Sequence, residues 1–361
     1  MPGSGAVPVV ENTTAPPPRA EVQVGTEATA EDWDAFVAQH PDATSDHLWR
    51  WRVVIDKVFR HECVYLSARR DASLVGVLPL VLFRSRLFGR FAVSMPFLNY
   101  GGVLASDAEA RDALVARGHQ LTREFGGSHL ELRHRARQLT DSPCRQHKVA
   151  LTMPLPRSSE ELWASIDRKA RNQVRKAQKE GVTVETGGAE LVAAFYEVFA
   201  RNMRDLGTPV YPRALFEQVA AQFPDRARVF IARFQGRPIA GSVALTFAGT
   251  LLVPWASSLR EYRQLCANML QYWTMMEHGI AQGCHTFDFG RSSVGAGTHH
   301  FKLQWGAVES PLFWEYSLVA GNEPPDQGPS NPRFNLAIDA WKRLPMWISN
   351  RIGPIVVRNI P

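Results

Sequence analysis

The sequence predicts a mixed α/β fold in which two similar halves are joined by a basic amphipathic helix. Its 361 residues are more than one average domain needs, so two cores of ordinary size are expected. Hydrophobic residues make up 45% and charged residues 21%, which is typical of a globular protein rather than a disordered one. The same succession of strands, helix and strand occurs twice along the chain, which indicates two domains of mixed sheets.

The first domain is predicted over residues 23–156. It follows a segment, residues 1–22, that is rich in Pro, Ala, Val and Thr and is predicted to be disordered. Two β-rich runs, ECVYLSARR and SLVGVLPLVLF, flank a turn at Asp71 and predict a hairpin. The run FAVSMPF, a helix over about 107–125 and the alternating strand HLELRH follow. The strand VALTMPL is predicted to close this half.

The second domain, predicted over residues 183–320, repeats this plan. The runs RVFIARF, RPIAGSVALTF and TLLVPWASS predict a three-strand meander with turns that contain glycine. Asn268, with Gln271 three residues later, is predicted to open a helix as a capping box, and Gly283 to end it. The strand HTFDFG follows, and PLFWEYSLV is predicted to be the last strand of this half.

A basic helix is predicted between the halves, over residues 157–182. Ser158 and Glu161 form an S-x-x-E start, and apolar residues then recur at steps of four and three. The window RKARNQVRKAQK has six basic residues and no acid, which equals the whole net charge of +6. Four of its cations are predicted to lie on one stripe of the helix: Arg168, Arg171, Arg175 and Lys179. The absence of acids favours a ridge that binds a polyanion, and a solvated helix face is the alternative.

The composition also bears on metal sites and location. The four cysteines form no C-x-x-C pair, so neither a disulfide framework nor a zinc knuckle is predicted, and a reducing cytoplasm fits best. No H-E-x-x-H spacing accompanies the pair His299 and His300, so no metal site is expected. The start of the chain lacks the features of a secretory signal, and the longest apolar run is too short to cross a bilayer. We expect a cytoplasmic protein.

Several phrases of the sequence resemble one known family. MPFLNYGG, RKARNQVRKAQKEGV, FARNMRDLGTPVYPR, VPWASSLREY, ANMLQYW and FDFGRSSVGAGTHHFKLQWGA resemble the FemAB-related proteins associated with PEP-CTERM and exosortase gene neighbourhoods. The resemblance implies two tandem GNAT-like (acyl-CoA N-acyltransferase) domains, and the predicted order of elements is that of a GNAT core. It also implies acyl transfer, because FemAB enzymes transfer an amino acid from aminoacyl-tRNA to an amine of a cell-wall precursor and related GNAT domains use acyl-CoA.

One stretch of the sequence bears on the choice of donor. Acetyl-CoA users of the GNAT fold carry a Q/R-x-x-G-x-G/A loop before a helix, because glycines let backbone N–H groups approach the pyrophosphate. The corresponding stretch here, ASSLREYRQLCANML, contains no glycine, although a helix start at Asn268 would still attract an anion. This departure favours aminoacyl-tRNA or an acyl carrier as co-substrate without excluding acyl-CoA. No permanently bound cofactor is expected.

Lys302 and Asp288 are the candidate catalytic residues. Lys302 matches the lysine of the family's F-K-x-x-F/W-G phrase, and the resemblance implies that it helps to hold the donor and steadies the oxyanion formed in acyl transfer. Asp288 lies in the FDFGRS strand, where a carboxylate would accept the proton of an acceptor amine. The alternatives are an exposed surface lysine and a structural ion pair between Asp288 and Arg291.

Candidate substrate-binding residues lie at strand ends and in one polar loop. Arg291 would bind a phosphate or a carboxylate. The others come from the phrase FARNMRDLGTPVYP, from the end of the meander and from the matching strand end of the first half: Arg201, Asn202, Tyr211, Trp255, Ser257, Asn99 and Tyr100. Helix capping is the alternative role for the loop residues, and core packing is the alternative for Trp255.

The C-terminal tail, residues 321–361, is predicted to contain an amphipathic helix. Its apolar residues, among them Trp341 and Trp347, are interleaved with cations such as Arg343 and Arg351. Tryptophans among cations suit a membrane interface. Docking on the protein's own surface is the alternative, because two prolines interrupt the helix.

These observations lead to two hypotheses for the function. The first is a FemAB-like aminoacyl or acyl transferase that moves an acyl group to an amine or hydroxyl of a cell-envelope or exopolysaccharide precursor, by direct attack on the donor and without a covalent enzyme intermediate. Its partners would be that precursor, tRNA and, peripherally, the inner membrane, but not DNA. The second is a non-catalytic GNAT-fold protein that binds an anionic polymer or partner; an acyl-CoA-dependent N-acetyltransferase is a further alternative.

Overall fold

The computed structural model describes residues 20–86, 88–319, 321, 323–324 and 335–361. The segment predicted to be disordered therefore lies outside the described residues up to residue 19. Two mixed sheets organise the chain, and the predicted mixed α/β class is confirmed. Within the described part of the chain, no helix combines the length and apolar character that a membrane span would need.

The first sheet contains strands from the first half and one strand from the end of the second half. Its strands are β1 Val22–Gly25, β2 Glu62–Arg70, β3 Ser73–Ser85, β4 Gly89–Ser94, β5 Leu104–Ala105, β6 His129–His134, β7 Cys144–Arg145 and β15 Phe313–Leu318. They lie in the order β1-β2-β3-β4-β6-β15-β7, and β5 pairs with β3. The hairpin predicted around Asp71 is confirmed, because β2 and β3 are antiparallel neighbours that join there.

The second sheet has seven strands. Six of them are β8 Val149–Pro154, β9 Thr183–Gly187, β10 Ala227–Phe234, β11 Arg237–Phe247, β12 Thr250–Ser258 and β13 Thr286–Ser292, and β14 Val308–Pro311 is the seventh. They lie in the order β14-β8-β13-β12-β11-β10-β9. The predicted three-strand meander is confirmed as β10, β11 and β12.

The two halves exchange one strand each. The strand VALTMPL, predicted to close the first half, contains β8, which lies in the second sheet between β13 and β14. The strand PLFWEYSLV, predicted to close the second half, contains β15, which lies in the first sheet between β6 and β7. Both predicted placements are wrong, because alternating hydrophobicity identifies a strand but not the strand it pairs with.

The helices cover the faces of the sheets. They are α1 Ala30–Gln39, α2 Trp51–Phe59, α3 Ala108–Glu124, α4 Ser159–Ser165, α5 Arg168–Lys179, α6 Val192–Leu206, α7 Arg213–Gln222, α8 Ala267–Ala281, α9 Gly297–Leu303, α10 Asn335–Lys342 and α11 Met346–Val357. Side-chain caps fix several starts; the carboxylate of Asp107, for example, accepts a hydrogen bond from the N–H of Ala110 at the start of α3.

The predicted basic helix is two helices. Ser158 caps α4 as predicted, since its hydroxyl accepts a hydrogen bond from the N–H of Glu161. The chain then leaves helical geometry at Ile166, and Asp167 caps α5 by accepting from the N–H of Lys169 at 2.6 Å. The apolar face of α5 is buried in the core of the second sheet, beside α8. This segment is thus part of the second core rather than a free connector.

The largest hydrophobic core includes residues of both halves. Trp51 of α2 packs against Phe223 and Trp255 of the second half, with ring centroids 4.9 and 6.4 Å apart. Phe59 of the first half likewise contacts Tyr211 of the second, at 6.2 Å. Because the burial of large aromatic rings is strongly favourable, these contacts hold the two sheets in a fixed relation. A site formed from both halves is therefore preorganised.

Candidate active site

The candidate site lies where two neighbouring strands of the second sheet separate. β12 and β13 are parallel, and their pairing runs from Thr250 with Thr286 to Leu252 with Asp288, where it ends. Both strands continue beyond this point, and a bulge follows Asp288 in its pairing with β8. Beyond this point the two strands no longer pair with each other.

Gly290 makes this bulge possible. Its φ is +70°, in the left-handed region that favours glycine. A Cβ atom there would lie 3.0 Å from Nδ2 of Asn99 and 3.1 Å from the carbonyl oxygen of Val253. Asn99, a predicted substrate-binding residue, is buried, and among the described residues its Nδ2 has no hydrogen-bond partner. The first half therefore packs directly on the end of β13.

Asp288 and Tyr100 join the two halves by a buried hydrogen bond. The Tyr100 hydroxyl donates to Oδ2 of Asp288 at 2.8 Å, and the N–H of Gly290 donates to Oδ1 at 2.7 Å. Burial raises the pKa of Asp288, while these two hydrogen bonds act in the opposite direction. Asp288 thus meets a tyrosine of the other half, instead of forming the alternative ion pair with Arg291.

A second buried carboxylate, Asp46, supports Tyr100. Its Oδ2 accepts hydrogen bonds from the N–H groups of Asn99 and Tyr100, at 3.1 and 2.9 Å. Burial raises the pKa of Asp46 to about 6, and the nearby charge of Asp288 contributes in the same direction. Sequence reasoning missed Asp46, because an acid in the short stretch TSDH has the pattern of a helix cap, and only the tertiary structure brings it to residues 99–100.

Replacing Asp46 with asparagine is expected to flatten the dependence of stability on pH. A folded-state pKa near 6, above the unfolded value near 3.9, means that the contribution of Asp46 is fully present below pH 3.9 and is lost as pH rises through 6. The shift corresponds to a loss of about 3 kcal/mol between about pH 3.9 and pH 8. Urea unfolding over about pH 4 to 8 measures the slope of stability against pH. Equal slopes in the wild type and Asp46→Asn would contradict this assignment, and the exposed Asp56→Asn serves as control.

Lys302 is buried beside the same bulge. It lies in α9, is 7% exposed, and its Nζ donates to the carbonyl oxygens of Gly290 and Arg291 at 3.2 and 3.0 Å. Burial lowers the pKa of Lys302 to about 8; the Asp288 carboxylate acts to raise it, and Arg291 acts to lower it. The alternative of an exposed surface lysine is wrong. The ammonium group is held at the point where β12 and β13 separate.

Arg291 faces the first half together with a second arginine. Nη1 of Arg291 donates to the carbonyl oxygen of Leu98 at 3.2 Å. Its guanidinium lies 5.4 Å from the Trp314 ring centroid, and that of Arg133 lies 4.3 Å from the same centroid. Burial and the neighbouring Arg133 lower the pKa of Arg291 to about 10. Sequence reasoning missed Arg133 and Trp314, because they reach the site through β6 and the exchanged strand β15.

Two other predicted substrate-binding residues meet at the end of β12, where Nδ2 of Asn202 donates to the hydroxyl of Ser257 at 3.1 Å. Arg201, one residue earlier in α6, forms an exposed ion pair with Glu261 at 2.8 Å. Because the Asn202 amide and the Ser257 hydroxyl pair across two elements, they fix α6 against the free end of β12.

Two predicted aromatic residues lie mainly in the core. Trp255 is buried, and its ring contacts Phe216 at 5.4 Å, so it has the packing role that was the alternative for it. The ring of Tyr211 contacts Phe97 at 6.1 Å. Burial raises the pKa of Tyr211, while Arg291 acts to lower it.

Most of the predicted cationic stripe of α5 faces outward. Arg168, Arg175 and Lys179 are exposed, and Arg171 is half-buried. Arg171 donates through Nη1 to the carbonyl oxygens of Trp163 and Ala164, at 3.0 and 3.1 Å, and so satisfies the end of α4. The guanidinium of Arg175 lies 5.1 Å from the Trp163 ring centroid. Arg168, Arg175 and Lys179 thus provide outward charge, and Arg171 and Arg175 also brace α4.

The predicted capping box at Asn268 is wrong. α8 begins at Ala267, and its N-cap is Cys266, which adopts a φ of 56° and makes no side-chain cap hydrogen bond. Asn268 lies inside the first turn. Gln271 is buried and donates to the carbonyl oxygen of Phe230 and the hydroxyl of Ser242, at 3.1 and 2.8 Å. The glutamine faces the sheet and therefore cannot return to the helix start.

Comparison with known families finds a match over the part of the chain that holds this site. Residues 164–303 match the family model described as acetyltransferase (GNAT) domain. The matched range includes Asp288, Arg291 and Lys302. This range is thus similar to a GNAT acetyltransferase domain. None of the curated proteins matches the chain significantly.

Solved structures extend the likeness to most of the chain. FemX is similar at 16% identity, over 81% of this chain and 96% of that one, with a TM-score of 0.64. A tandem GNAT protein from the clavulanic acid biosynthesis pathway is similar at 12% identity, over 84% and 100%, with a TM-score of 0.53. L-PGS from Bacillus licheniformis is similar at 12% identity, over 82% and 94%, with a TM-score of 0.52. These identities show the fold alone, and the predicted tandem GNAT-like architecture is confirmed.

Proposed function

We propose, from the premise that residues 164–303 are similar to a GNAT acetyltransferase domain, that this chain is a FemAB-like aminoacyl or acyl transferase. It would move the acyl group to an amine or hydroxyl of a cell-envelope or exopolysaccharide precursor. The resemblance of its sequence phrases to FemAB-related proteins of PEP-CTERM systems favours this acceptor class. The similarity of its fold to that of FemX is in keeping with this acceptor class, although the similarity itself concerns only the fold.

One observation carries the proposal: the pairing of β12 with β13 ends beside a buried cation, Lys302, and a buried carboxylate, Asp288, that is hydrogen-bonded to the other half. Acyl transfer needs a place where the donor carbonyl lies against the backbone and where negative charge on its oxygen is stabilised. The strands beyond this pairing would offer the backbone edges, and Lys302 would offer the charge. The acceptor would enter from the first half, past Tyr100.

The reaction would proceed by direct attack. The nitrogen of the acceptor amine bonds to the donor carbonyl carbon, and the carbonyl oxygen becomes an oxyanion beside the Lys302 ammonium. The carbonyl then re-forms as the bond to the donor's oxygen or sulfur breaks, and that leaving atom takes up the proton that Asp288 has received, returned through the Tyr100 hydroxyl. The amine proton passes to the Tyr100 oxygen as the Tyr100 hydroxyl proton passes to Oδ2 of Asp288. Burial and the Asp288 carboxylate hold the pKa of Tyr100 well above its usual value, so both proton transfers occur together rather than through a free phenolate.

The surface around α5 favours aminoacyl-tRNA as donor. Arg168 and Lys179 lie at the two ends of α5, on a helix without an acid, and both are exposed. A polyanion that binds there displaces counterions, which makes affinity fall with salt. The loop between β12 and α8 has no glycine with which to approach a pyrophosphate, as acetyl-CoA users require. GNAT domains use acyl-CoA, which therefore remains the competing donor.

A two-donor transfer assay tests the proposal. The purified chain is incubated with labelled aminoacyl-tRNA or labelled acetyl-CoA and with envelope precursors extracted from bacterial cells. We expect label transfer from aminoacyl-tRNA. In Arg168→Gln/Lys179→Gln, the KM for aminoacyl-tRNA should rise about tenfold and its salt slope should fall by about two, because two phosphate contacts are lost. The KM for acetyl-CoA should not change.

The matched control removes two exposed cations elsewhere, in Lys57→Gln/Arg237→Gln, and should leave both KM values unchanged. Transfer from acetyl-CoA alone would contradict the choice of donor. Absence of transfer from both donors, in a protein with a cooperative unfolding transition, would contradict the transferase proposal and favour the binding protein.

A further inference from the structure

The C-terminal helix α11 is held to both halves by one of its faces. Ser349, Gly353 and Val357, spaced four residues apart, are buried. A Cβ at Gly353 would lie 2.8 Å from Cγ1 of Val210 in the second half, so the backbone of α11 packs directly against Val210. Toward the first half, the N–H of Arg86 donates to Oδ1 of Asn359 at 3.0 Å. Docking on the protein's own surface was the alternative expected for the tail, and the inner face of α11 packs in this way.

The opposite face of the tail exposes large apolar side chains. Trp347 is 71% exposed, Ile352 41% and Ile355 64%, and Leu336 of the preceding helix α10 is 86% exposed. Among the described residues, these are four of the eight large hydrophobic side chains that are exposed. Single exposed apolar residues are ordinary, but a group of them on one element indicates a contact surface.

From residue 343 onward the charge of the tail has one sign, whereas in α10 the exposed Asp339 is paired with Lys342 at 3.0 Å. Arg351 lies on the same side of α11 as Trp347 and Ile355, four residues from each, and is exposed. Arg358 follows the end of α11, and its Nη2 donates to the carbonyl oxygen of Arg60 at 3.3 Å. Residues 343–361 contain three arginines and no acid. Two copies of such a face would repel one another, whereas an anionic surface would attract it.

We infer that this outer face docks on an anionic lipid surface. The face, called the tail face below, consists of Leu336, Arg343, Trp347, Arg351, Ile352 and Ile355. A helix that lies in the plane of a membrane interface presents apolar side chains interleaved with cations, and tryptophan is favoured at that depth. The inference rests on the proposed function in one respect: docking would bring the active site within reach of a lipid-linked acceptor.

The tail face belongs to a segment that is fixed to the rest of the protein. Because α11 contacts α6 of the second half and the strand end near Arg86 of the first, it is fixed to the body that carries the active site. Docking would therefore orient the whole protein on the lipid surface rather than tether it by a loose segment. Neither Trp347 nor Ile355 contributes to the active site, so their replacement separates docking from chemistry.

Co-sedimentation with vesicles tests the inference. The full chain is mixed with vesicles of phosphatidylcholine with and without phosphatidylglycerol, at low and high salt. We expect binding to the vesicles that contain phosphatidylglycerol, weakened by salt, and a loss of at least about tenfold in the partition coefficient for Trp347→Ser/Ile355→Ser. A comparable loss is expected for Arg343→Gln/Arg351→Gln on anionic vesicles only.

The control variant is Val308→Ser on β14, whose side chain is as exposed as that of Ile355, and it should partition like the wild type. Each variant is checked for an unchanged unfolding transition and for unchanged transfer to a water-soluble acceptor. Wild-type protein that does not bind anionic vesicles, or that binds them equally after Trp347→Ser/Ile355→Ser, overturns the inference. So does a change in oligomeric state caused by the same double substitution, because it would assign the tail face to self-association. None of these results depends on which donor the site uses.

Discussion

Replacing Lys302 with methionine is expected to lower kcat/KM for acyl transfer by about 10²–10³-fold. Methionine keeps the length and apolar volume of the side chain but removes the charge that would face the developing oxyanion. Loss of one preorganised donor at such a position has effects of this size, because the buried site cannot substitute water for it. Steady-state transfer rates with the donor that proves active measure the change.

The pH profile distinguishes a catalytic ammonium from a structural one. The pKa of Lys302 is lowered to about 8, so the charged form is lost as pH rises through 8 and wild-type kcat/KM should fall there. In Lys302→Met this fall in kcat/KM at high pH, the upper limb of the profile, should be absent. The exposed Lys57→Met is the matched control and should retain the wild-type rate and profile. A methionine variant that unfolds earlier but keeps the limb would show that Lys302 only ties α9 to the bulge at Gly290.

The sequence was most informative where structure depends on neighbours along the chain. The β2–β3 hairpin follows from two alternating runs around Asp71, which adopts a φ of 54° in the turn. Ser158 was recognised as a cap because its partner is three residues away. The prediction of one long helix after it was wrong, because Asp167 offers a second cap that competes with helical continuation.

The sequence was least informative where structure depends on pairing across the chain. β8 and β15 carry patterns that fit either sheet, and their exchange is decided by contacts between residues more than a hundred positions apart. The same exchange brings Trp314 between Arg133 and Arg291. Of the predicted site residues, Tyr100 in the loop after β4 and Asp288 in β13 do meet, because both lie at the seam between the halves. Their catalytic roles stay predictions.

The exchanged strand also explains why the site is rigid. Leaving the second sheet after β14, the chain inserts β15 beside β6, so that neither half can separate without unpairing a strand of the other. Glu131 of β6 accepts hydrogen bonds from Arg133 at 2.8 Å and from the hydroxyl of Tyr316 in β15 at 3.0 Å. The Tyr316 hydroxyl joins β15 to this buried ion pair of β6 and favours one register of β15, because a slip by one residue would turn Tyr316 to the other face of the sheet.

Replacing Glu315 with alanine is expected to destabilise the protein by about 3–5 kcal/mol. Glu315 is fully buried on β15, and its carboxylate accepts from Nδ1 of His134 at 2.6 Å and from the N–H groups of Gln138 and Leu139 at 3.0 and 2.7 Å. Nε2 of His134 accepts from the N–H of Val103, which fixes the proton on Nδ1. Alanine would leave three donors without an acceptor, and the midpoint of urea unfolding reports the loss.

Glu315→Gln separates the hydrogen bonds from the charge, since its amide oxygen still accepts, and it should cost about half as much as Glu315→Ala. Burial acts to raise the pKa of Glu315, but the hydrogen bonds from His134, Gln138 and Leu139 hold it below its usual value. A lowered folded-state pKa gives stability that is present above the unfolded value near 4.3 and is lost as pH falls through the folded one. Wild-type stability should therefore decline below about pH 4.5 by a component that Glu315→Gln lacks. If both variants unfold at the wild-type midpoint, the exchanged strand is held by its backbone pairing and apolar contacts alone, and the carboxylate has no part in joining the two halves.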